Sequence, residues 1–510
     1  MTKYHNPIIP GFHPDPSICR VGDDYYLVTS SFEYFPCLPV FHSRDLVNWM
    51  QIGHAVERPE AMDLDTATCF GGNWAPTIRY HNGWFYVICT NVSDKGHYIV
   101  RTQDPAAGWS DPSWITLGTS HVATFDPSLF FDDDGKVYLT YFATEGLMQA
   151  LIDPDTARLL SPLRRIADST NGFTSEGPHL YKVNGRYYLM TAEGGTEYGH
   201  MESIYRADDP WGPFTPCPHN PVLSHRSLYS PLQVTGHGDL VQDPNGNWWM
   251  VFLAVRPNGY QPAHHLGRET CLAPVVWTED GWIKVGDNRR VSLEMDGPLP
   301  PAGSVFVYPN HICFDQPVLD PRWVFVRNPH PGCWSLSERP RFLRLRGLPA
   351  TLDEVAPIAF VGRRQEHFIV TVAACLDFIP KTALDEAGLC IRMNEGHHYE
   401  IFKSIRNGEP RLLVRRTIGT LTAETASIPW PLHESTLAIR ADSDWYHFGY
   451  IREHTFTELD QAETRYLSTE VARGFNGVTF GMYATGNGEQ CSAPADFLWF
   501  DYIPEPHEPR

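Results

Sequence analysis

Short alternating runs of apolar and polar residues recur along the first half of the chain, and five of them share one pattern. Each begins with a small or proline-containing start, has an apolar residue two positions later, passes a glycine-centred turn and continues as an aromatic-rich run. The five runs are DPSICRVGDDYYLVTS from Asp15, APTIRYHNGWFYVICT from Ala75, DPSLFFDDDGKVYLTYF from Asp126, GPHLYKVNGRYYLMTA from Gly177 and HGDLVQDPNGNWWMVF from His237. A glycine turn between two β-rich runs predicts a β-hairpin in each of them.

The spacing of these hairpins predicts how they are arranged. The second positions of the five runs are 51 to 60 residues apart, and they are Pro16, Pro76, Pro127, Pro178 and Gly238. A hairpin recurring at this interval leaves room for about four strands per unit. The pattern therefore predicts an all-β protein whose N-terminal part is a five-bladed β-propeller.

In a propeller the innermost strand of each blade lines the central axis, so the starts of the five runs should meet. The residues at or beside these starts are Asp15, Trp74, Asp126, Glu176 and His237. An alternative is that the DPS segments are Asp-capped entries to strands, because Asp before Pro often stabilises a turn. Two DPS segments and an EGP segment at matching positions favour a shared site.

A second domain is predicted beyond the repeats. The Pro- and Gly-rich stretch EMDGPLPPAGSVFVYPN separates residues 1–300, the predicted propeller, from residues 311–510. Alternating strand-like segments continue through the latter range without a competing helical period, which indicates a β-sandwich of jelly-roll or concanavalin-like type. No cluster of catalytic side chains is visible there, so an accessory role is expected.

Composition and charge limit the classes of partner that the protein is expected to bind. The net charge of −20 disfavours binding to phosphate backbones, so no nucleic-acid partner is expected. There are 15 Trp, 23 Tyr and 27 Phe, enough to build sugar-stacking platforms as well as cores. The sequence has neither a secretory signal nor an 18-residue apolar run, so no membrane association is expected. Eleven scattered cysteines without a CxxC spacing fit a cytoplasmic location.

Three carboxylates on one axis match the needs of glycoside hydrolysis. In the inverting reaction one carboxyl group protonates the leaving oxygen and another activates water, at a separation of roughly 6.5–9.5 Å. Glu176, close to Phe173, suits the acid because burial and a neighbouring carboxylate raise a carboxyl pKa. Asp15 suits the base. Asp126 is expected to position Glu176 and keep it protonated, although a purely structural role is the alternative.

Four further residues are candidates for substrate binding. Arg268 could clamp a sugar or pair with the carboxylates, and Trp74 and Phe32 could form stacking walls. His237 could bond the carboxylates or bind an ion in the channel. The ordinary alternatives are a surface arginine, two core aromatic residues and a histidine without a metal.

At these residues the sequence resembles glycoside hydrolase family 43. The resemblance is carried by NPIIPGFHPDPSICRVGDDYYLVTSSFEYFP, GGNWAPTIRY, FDPSLFFDDDGKVYLTYF, SEGPHLYKVNGRYYLMTAEGG, LGRET and, for the second domain, FVGRRQEHF. It implies a five-bladed propeller, inversion, and exo-acting β-xylosidase or α-L-arabinofuranosidase activity. It also implies that Asp15 is the base, Asp126 tunes the pKa and Glu176 is the acid, with His237 and Arg268 beside them.

The resemblance further implies that no cofactor is required for the chemistry and that a structural calcium ion, coordinated mostly by water, can lie in the channel near His237. The expected substrates are xylo- or arabinoxylo-oligosaccharides, with xylosidase activity favoured and arabinofuranosidase activity beside it. Three alternatives stay open: arabinofuranosidase as the main activity, an endo-acting arabinan hydrolase, and a carbohydrate-binding propeller without catalysis. The sequence leaves open whether the chain forms a homo-oligomer.

Overall fold

The protein is almost entirely β-structure. The computed structural model describes residues 2–118, 123–167, 175–259, 261–301, 305–430 and 434–505. Within these ranges the chain forms 40 strands and one four-residue helix, and no helix has the length and apolar character that crossing a bilayer requires. The predicted all-β class is confirmed.

The N-terminal strands form five antiparallel sheets in succession along the chain. Residues up to the end of the second sheet contain β1 (Thr2–His5), β2 (Ser17–Val21), β3 (Asp24–Val28), β4 (Tyr34–Phe35), β5 (Cys37–Ser43), β6 (Met50–Val56), the 3-10 turn Pro59–Ala61, β7 (Thr77–His81), β8 (Trp84–Asn91), β9 (Gly96–Thr102) and β10 (Ser113–Trp114). The third and fourth sheets contain β11 (Thr124–Phe131), β12 (Val137–Ala143), β13 (Gly146–Asp153), β14 (Arg158–Leu159), β15 (Arg164–Ala167), β16 (Ser175–Val183), β17 (Arg186–Glu193), β18 (Met201–Ala207), β19 (Thr215–Pro216) and β20 (Leu223–Ser224). The fifth sheet and the strand after it are β21 (Gln233–Gln242), β22 (Trp248–Val255), β23 (Glu269–Trp277), β24 (Ile283–Val285) and β25 (Glu294–Gly297).

The glycine turns that the sequence predicted form the inner hairpins of these sheets. In the second and fourth sheets the turns are Asn82-Gly83 and Asn184-Gly185, and all four residues have positive φ angles between 49° and 85°. Two successive left-handed residues make the type I′ turn, whose twist matches that of paired strands and which strongly favours Asn-Gly. The local sequence therefore fixes the hairpin register of these two sheets.

The five sheets close into a ring. The innermost strands β2, β7, β11, β16 and β21 each contact the next, and β21 returns to contact β2. The N-terminal segment strengthens the closure, since β1 pairs with β25 and Ile9 bridges to Thr270 of the last sheet. The predicted five-bladed propeller is confirmed.

A buried ion pair ties the inner strands together. Arg79 of β7 donates to Asp239 of β21 at 2.7 Å, and the same carboxylate accepts hydrogen bonds from Ser17 of β2 and Tyr181 of β16. Burial alone would raise the pKa of Asp239, but the charge of Arg79 and the hydrogen bonds from Arg79 and Ser17 outweigh it and hold that pKa well below its usual range. Four of the five blades thus share one charged hub.

The C-terminal strands build a two-sheet sandwich. The elements of the C-terminal half are β26 (His311–Cys313), β27 (Phe325–Val326), β28 (Trp334–Ser335), β29 (Leu343–Arg346), β30 (Ala359–Arg364), β31 (Val370–Asp377), β32 (Glu386–Asn394), β33 (His397–Arg406), β34 (Glu409–Ile418), β35 (Leu421–Pro429), β36 (Ser435–Ala441), β37 (Trp445–Arg452), β38 (Thr455–Glu463), the 3-10 turn Thr464–Leu467, helix α1 (Thr469–Ala472), β39 (Thr479–Thr485) and β40 (Pro494–Pro504). One sheet runs β28-β29-β40-β31-β36-β37-β38 with β26 beside β40, and the other runs β30-β39-β32-β33-β34-β35.

The two halves pack against each other over a continuous apolar interface. Strand β4 of the propeller half pairs with β27, and Phe12, Phe32 and Tyr34 join a buried cluster with residues of the six-stranded sheet. This packing places the sandwich against the segment that follows β3 and carries Phe32 and Tyr34. The boundaries of the two predicted domains, 1–300 and 311–510, stay predictions.

Candidate active site

The sequence-predicted side chains lie at corresponding points of the inner strands. Asp15 lies two residues before β2, Asp126 and Glu176 are among the first three residues of β11 and β16, and His237 is in β21. Asp15, Asp126 and His237 all have φ between 52° and 54°, and Gly177, next to Glu176, has φ 56°. The strand register shifts beside the last three of these residues, as in β-bulges, which re-aim side chains.

All seven predicted site residues line one small cavity of about 50 Å³. The full lining is Asp15, Phe32, Trp74, Ala75, Phe125, Asp126, Glu176, Thr196, His237, Arg268 and Phe475. Residues separated by more than 200 positions therefore meet, as the repeat phase predicted. Phe173, which the sequence placed near Glu176, lies outside the described residues.

Asp15 is held by donors on two sides. Ser30 Oγ donates to Oδ2 at 2.5 Å and Arg268 Nη1 donates to Oδ1 at 2.6 Å. His237 Nδ1 lies 3.8 Å from the same Oδ1. Asp15 is only 3% exposed, so these contacts, rather than solvent, fix the orientation of its carboxylate.

Glu176 has a carboxyl group suited to proton donation. Burial, and then the negative charge of Asp15, raise the pKa of Glu176 to about 7, while Arg268 acts in the opposite direction. A carboxyl with this pKa keeps a large protonated fraction near neutral pH, as a general acid needs. Asp15 contributes negative charge to this shift, and the predicted role of Asp126 in keeping Glu176 protonated stays a prediction.

Asp126 is buried next to Glu176 and is coupled to it. Burial, followed by the charges of Glu176 and Asp15, raises the pKa of Asp126 well above its usual range, although the Gly177 N–H donates to its Oδ2 at 3.0 Å. Two interacting acids lose their protons as a pair, so Asp126 and Glu176 hold at least one proton between them at neutral pH. That backbone bond also ties Asp126 to the residue after Glu176.

Arg268 and His237 are two further polar side chains that line the cavity. The Nη2 of Arg268 donates to the Phe475 carbonyl at 3.4 Å, while its Nε finds no acceptor among the described residues. Burial lowers the pKa of His237, and Arg268 adds to this against the opposing charge of Asp15, so the imidazole is neutral. A Cβ on Gly177 would lie 2.9 Å from His237 Nε2, so only glycine lets this ring pack here.

Four aromatic rings wall the cavity. Trp74 lies 5.1 Å from Phe125 and 5.5 Å from Phe475 between ring centroids, and Phe475 lies 5.7 Å from Phe32. Arg268 sits over both Phe32 and Phe475, at 5.4 and 5.6 Å from their centroids. These apolar faces suit the flat faces of a sugar ring.

Phe475 comes from the sandwich, and a buried contact holds it there. The neighbouring Asn476 donates through Nδ2 to both oxygens of Glu33, at 2.8 and 2.9 Å. Glu33 follows Phe32 in the sequence and pairs with Arg392 of β32 at 3.3 Å. A buried cluster of hydrogen bonds and one ion pair therefore joins the two segments that carry Phe32 and Phe475.

Sequence reasoning missed Phe125, Thr196 and Phe475. The position of Phe125, directly before Asp126, could have indicated it, because neighbours of an axial residue are close to the axis. Thr196 lies in the loop after β17, and its buried Oγ1 finds no partner among the described residues. Phe475 gave no signal, because the domain packing that brings it to the site cannot be read from local pattern.

The predicted calcium ion at His237 finds little support in the donors present. Calcium prefers about six to eight oxygen ligands. Among the described residues, no group of three or more His, Cys, Asp or Glu side chains is arranged to hold a metal. Protein ligands at His237 therefore do not fit calcium, and an ion held mainly through water stays a prediction on which no step below depends.

Comparisons with known proteins identify the family of this chain. Residues 4–283 match the family model described as glycosyl hydrolases family 43, and residues 311–503 match the beta xylosidase C-terminal concanavalin A-like domain. The chain is 46% identical to a non-reducing end alpha-L-arabinofuranosidase of Bacteroides ovatus, over 98% of this chain and 94% of the relative. It is 36% identical to a xylosidase/arabinosidase of Butyrivibrio fibrisolvens, over 98% and 99%.

A solved structure shows the same architecture. The xylan beta-1,4-xylosidase of Bacillus halodurans superposes with a TM-score of 0.91 at 33% identity, covering 98% of this chain and 100% of that one. The two matching family models therefore cover both domains of the chain. The chain belongs to glycosyl hydrolase family 43 and is a glycoside hydrolase.

Proposed function

We propose that this protein is an exo-acting, inverting hydrolase that releases single terminal pentoses, β-1,4-linked xylose and α-L-arabinofuranose, from xylo- and arabinoxylo-oligosaccharides. One observation carries the proposal: Asp15, Asp126 and Glu176 line the same small cavity, and the pKa of Glu176 is raised to about 7. Hydrolysis by such a pair of carboxyl groups requires no cofactor.

In the proposed reaction Glu176 is the general acid. Its proton passes to the glycosidic oxygen as the bond to the anomeric carbon breaks, so the leaving sugar departs as a neutral alcohol. Glu176 then carries the negative charge, which the nearby Arg268 stabilises. The raised pKa makes this transfer favourable close to neutral pH.

Asp15 is the proposed general base. Held by Ser30 and Arg268, its carboxylate takes a proton from the water that attacks the anomeric carbon from the opposite face. The product sugar therefore has the inverted configuration. Asp126, bonded to the Gly177 N–H, acts as a positioning residue that fixes the backbone carrying Glu176 and shares its proton.

The shape of the cavity favours exo action. Its four aromatic walls suit one sugar ring at a chain end. Phe475 from the sandwich closes one side, which would obstruct a polysaccharide running through the site. This enclosure argues against the endo-acting alternative, and the complete set of three carboxylates argues against a propeller that only binds carbohydrate.

The names of the relatives support activity on both pentoses. The more similar of the two reported sequences is named an arabinofuranosidase, the other a xylosidase/arabinosidase, and the superposed structure a xylosidase. A β-xylopyranosyl and an α-L-arabinofuranosyl unit can present their hydroxyl groups alike to one pocket. Arabinofuranosidase as the main activity is the second candidate, and the 46% identity to such an enzyme supports it.

Initial rates on 4-nitrophenyl β-D-xylopyranoside, 4-nitrophenyl α-L-arabinofuranoside and xylobiose test the substrate class. We expect both aryl pentosides and xylobiose to be cleaved, and a 4-nitrophenyl hexoside to be cleaved far more slowly. Proton NMR of the first product tests the stereochemistry. Activity on internal linkages without release of monosaccharide, or retained anomeric configuration, would contradict the proposal.

A reducing, cytoplasmic location is part of the proposal. All eleven cysteines are free thiols, and nine of them are buried. Cys37 and Cys89 lie in a buried apolar cluster that spans both halves of the protein. Separation of the producing cells into cytoplasmic and exported fractions, followed by an activity assay, tests this location.

A further inference from the structure

A second polar cavity lies away from the active site, where the two domains meet. Its volume is about 80 Å³. The propeller half contributes His13 and Gln51, and the second domain contributes Arg322, Arg363, Arg364 and Glu366. The proposed reaction uses none of these residues.

The charges around this cavity do not balance. Arg322 is neutralised by Asp320, through bonds of 2.7 and 3.1 Å. Arg363 lies 3.8 Å from Glu366. Arg364 is left as a third cation without a carboxylate of its own among the described residues, so the cluster carries one uncompensated positive charge.

Arg364 also has donors that are not used. It is 3% exposed, and its Nε and Nη2 find no acceptor among the described residues. Its guanidinium lies 5.7 Å from the centroid of the Phe12 ring and 6.0 Å from that of the Tyr34 ring. These cation–π contacts provide no hydrogen-bond acceptor for its N–H groups. Burial lowers the pKa of Arg364 to about 10, which still leaves it protonated at neutral pH.

His13 faces the same cavity from the propeller. Burial, with the charge of Arg364, lowers the pKa of His13 well below its usual range, so its ring is neutral. Its Nδ1 is buried and without a partner among the described residues. A neutral imidazole can place an N–H on that nitrogen and donate it to an acceptor.

We propose that this cavity binds a small monovalent anion of the halide class, held by Arg364, with His13 donating from the opposite domain. A buried arginine with two unused donors is costly unless an acceptor satisfies them. One water needs only about 10–15 Å³ of such space, so the cavity has room for one anion and a few waters. A single negative charge balances the cluster, whereas a divalent anion would overshoot it.

The anion would act as a link between domains. Its ligands come from the N-terminal segment before β2 and from the end of β30, so it binds the assembled molecule better than the unfolded chain. Such a ligand raises the stability of the folded state as its concentration rises above its dissociation constant. The proposal concerns stability and is independent of the reaction proposed above.

Crystals of the full-length protein grown or soaked in sodium bromide test the site directly. We expect an anomalous bromide peak in the cavity, within hydrogen-bonding reach of Arg364 Nε or Nη2 and His13 Nδ1. Density that matches water without an anomalous signal would overturn the proposal. This measurement uses the unaltered protein and does not depend on whether any variant folds.

Thermal unfolding provides the solution test. At fixed ionic strength, sodium chloride should raise the midpoint by a few degrees over sodium isethionate, whose anion is too bulky for the cavity. Arg364→Lys keeps the charge but removes Nε and Nη2, and should abolish the difference, while the exposed Arg44→Gln should retain it. Equal midpoints for the unaltered protein in the two salts, even with bromide seen in crystals, would mark the ion as adventitious and overturn the proposal.

Discussion

At Glu176 opposing influences act on one carboxyl group. Burial and the charge of Asp15 favour its neutral form, and Arg268 favours its ionised form. The arginine, however, is bonded directly to Asp15, so much of its charge is already matched. The same residue pair that orients the proposed base thus leaves the proposed acid protonated, and the two roles depend on one electrostatic arrangement.

Replacing Glu176 should affect substrates according to their leaving groups. We expect Glu176→Ala to lower kcat/KM on xylobiose by about 10²–10⁴-fold, the usual contribution of a general acid. The loss should be much smaller on 4-nitrophenyl β-D-xylopyranoside, because nitrophenolate leaves without a proton. Rates on the two substrates measure this difference.

Asp15→Ala serves as the control, because loss of the base should impair both substrates alike. An equal loss on both substrates in Glu176→Ala would argue that Glu176 is not the acid.

The rate should also fall on the alkaline side with the pKa of Glu176. A general acid acts only when protonated, so its active fraction decreases as pH rises through about 7. The pH profile of kcat/KM on xylobiose should therefore have its descending limb near pH 7. A good leaving group should flatten this limb, and a profile already falling from pH 5 on xylobiose would contradict the assignment.

At the scale of elements, the inner strands share a backbone conformation that their sequence pattern did not predict. Asp15, Asp126, Gly177 and His237, in or just before the inner strands, all have left-handed backbone angles. Such angles are costly for residues other than glycine, and Asp tolerates them better than most. The bulges turn side chains towards the axis, and the loop after α1 brings Phe475 to meet them.

The contact between Asn476 and Glu33 should control how well this loop is placed. We expect Asn476→Ala to raise KM for 4-nitrophenyl β-D-xylopyranoside by about tenfold, because a buried hydrogen bond to a charged group contributes roughly 1.5–3 kcal/mol. The value of kcat should fall less, since the carboxylates are untouched. Steady-state kinetics separate the two parameters.

Gln490→Ala is the matched control, since Gln490 donates its amide to the Gly347 carbonyl within the sandwich. It should leave both parameters close to those of the unaltered enzyme. If Asn476→Ala lowered kcat with KM unchanged, the loop would not be acting on substrate binding.

At the scale of the whole molecule, the ring depends on polar contacts as well as on its apolar layers. The hub of Arg79 and Asp239 joins strands that are 160 residues apart, and Asp239 is fully buried. A buried ion pair adds little over an apolar pair, but breaking one by removing a partner is strongly destabilising.

Asp239→Asn should therefore lower the free energy of unfolding by about 3–5 kcal/mol, because it leaves Arg79 without a compensating charge. Because the folded pKa of Asp239 is depressed, its contribution is present above the unfolded pKa and is lost as pH falls. Denaturant unfolding at pH 7 measures the loss. The exposed Asp134→Asn should have little effect, and a similar loss in both variants would show that the hub has no special role.

The sequence by itself determined the hairpins, their number and their phase. Asn-Gly turns and alternating strands are local features, and five copies at near-constant spacing leave few arrangements other than a ring. From that phase alone Asp15, Asp126, Glu176 and His237 could be placed on one axis, and the family resemblance agreed. The sequence left the roles of Arg268, Trp74 and Phe32 open, because a surface arginine or a core aromatic residue fits the same local pattern.

Only the tertiary structure decided which charges act on which groups and what closes the pocket. The pKa of Glu176 depends on its burial and its distance from Asp15, which no spacing along the chain encodes. The contribution of Phe475 and the unmatched charge of Arg364 both arise where two domains meet. Contacts between domains depend on the shapes of whole surfaces, and a one-dimensional pattern carries no record of them.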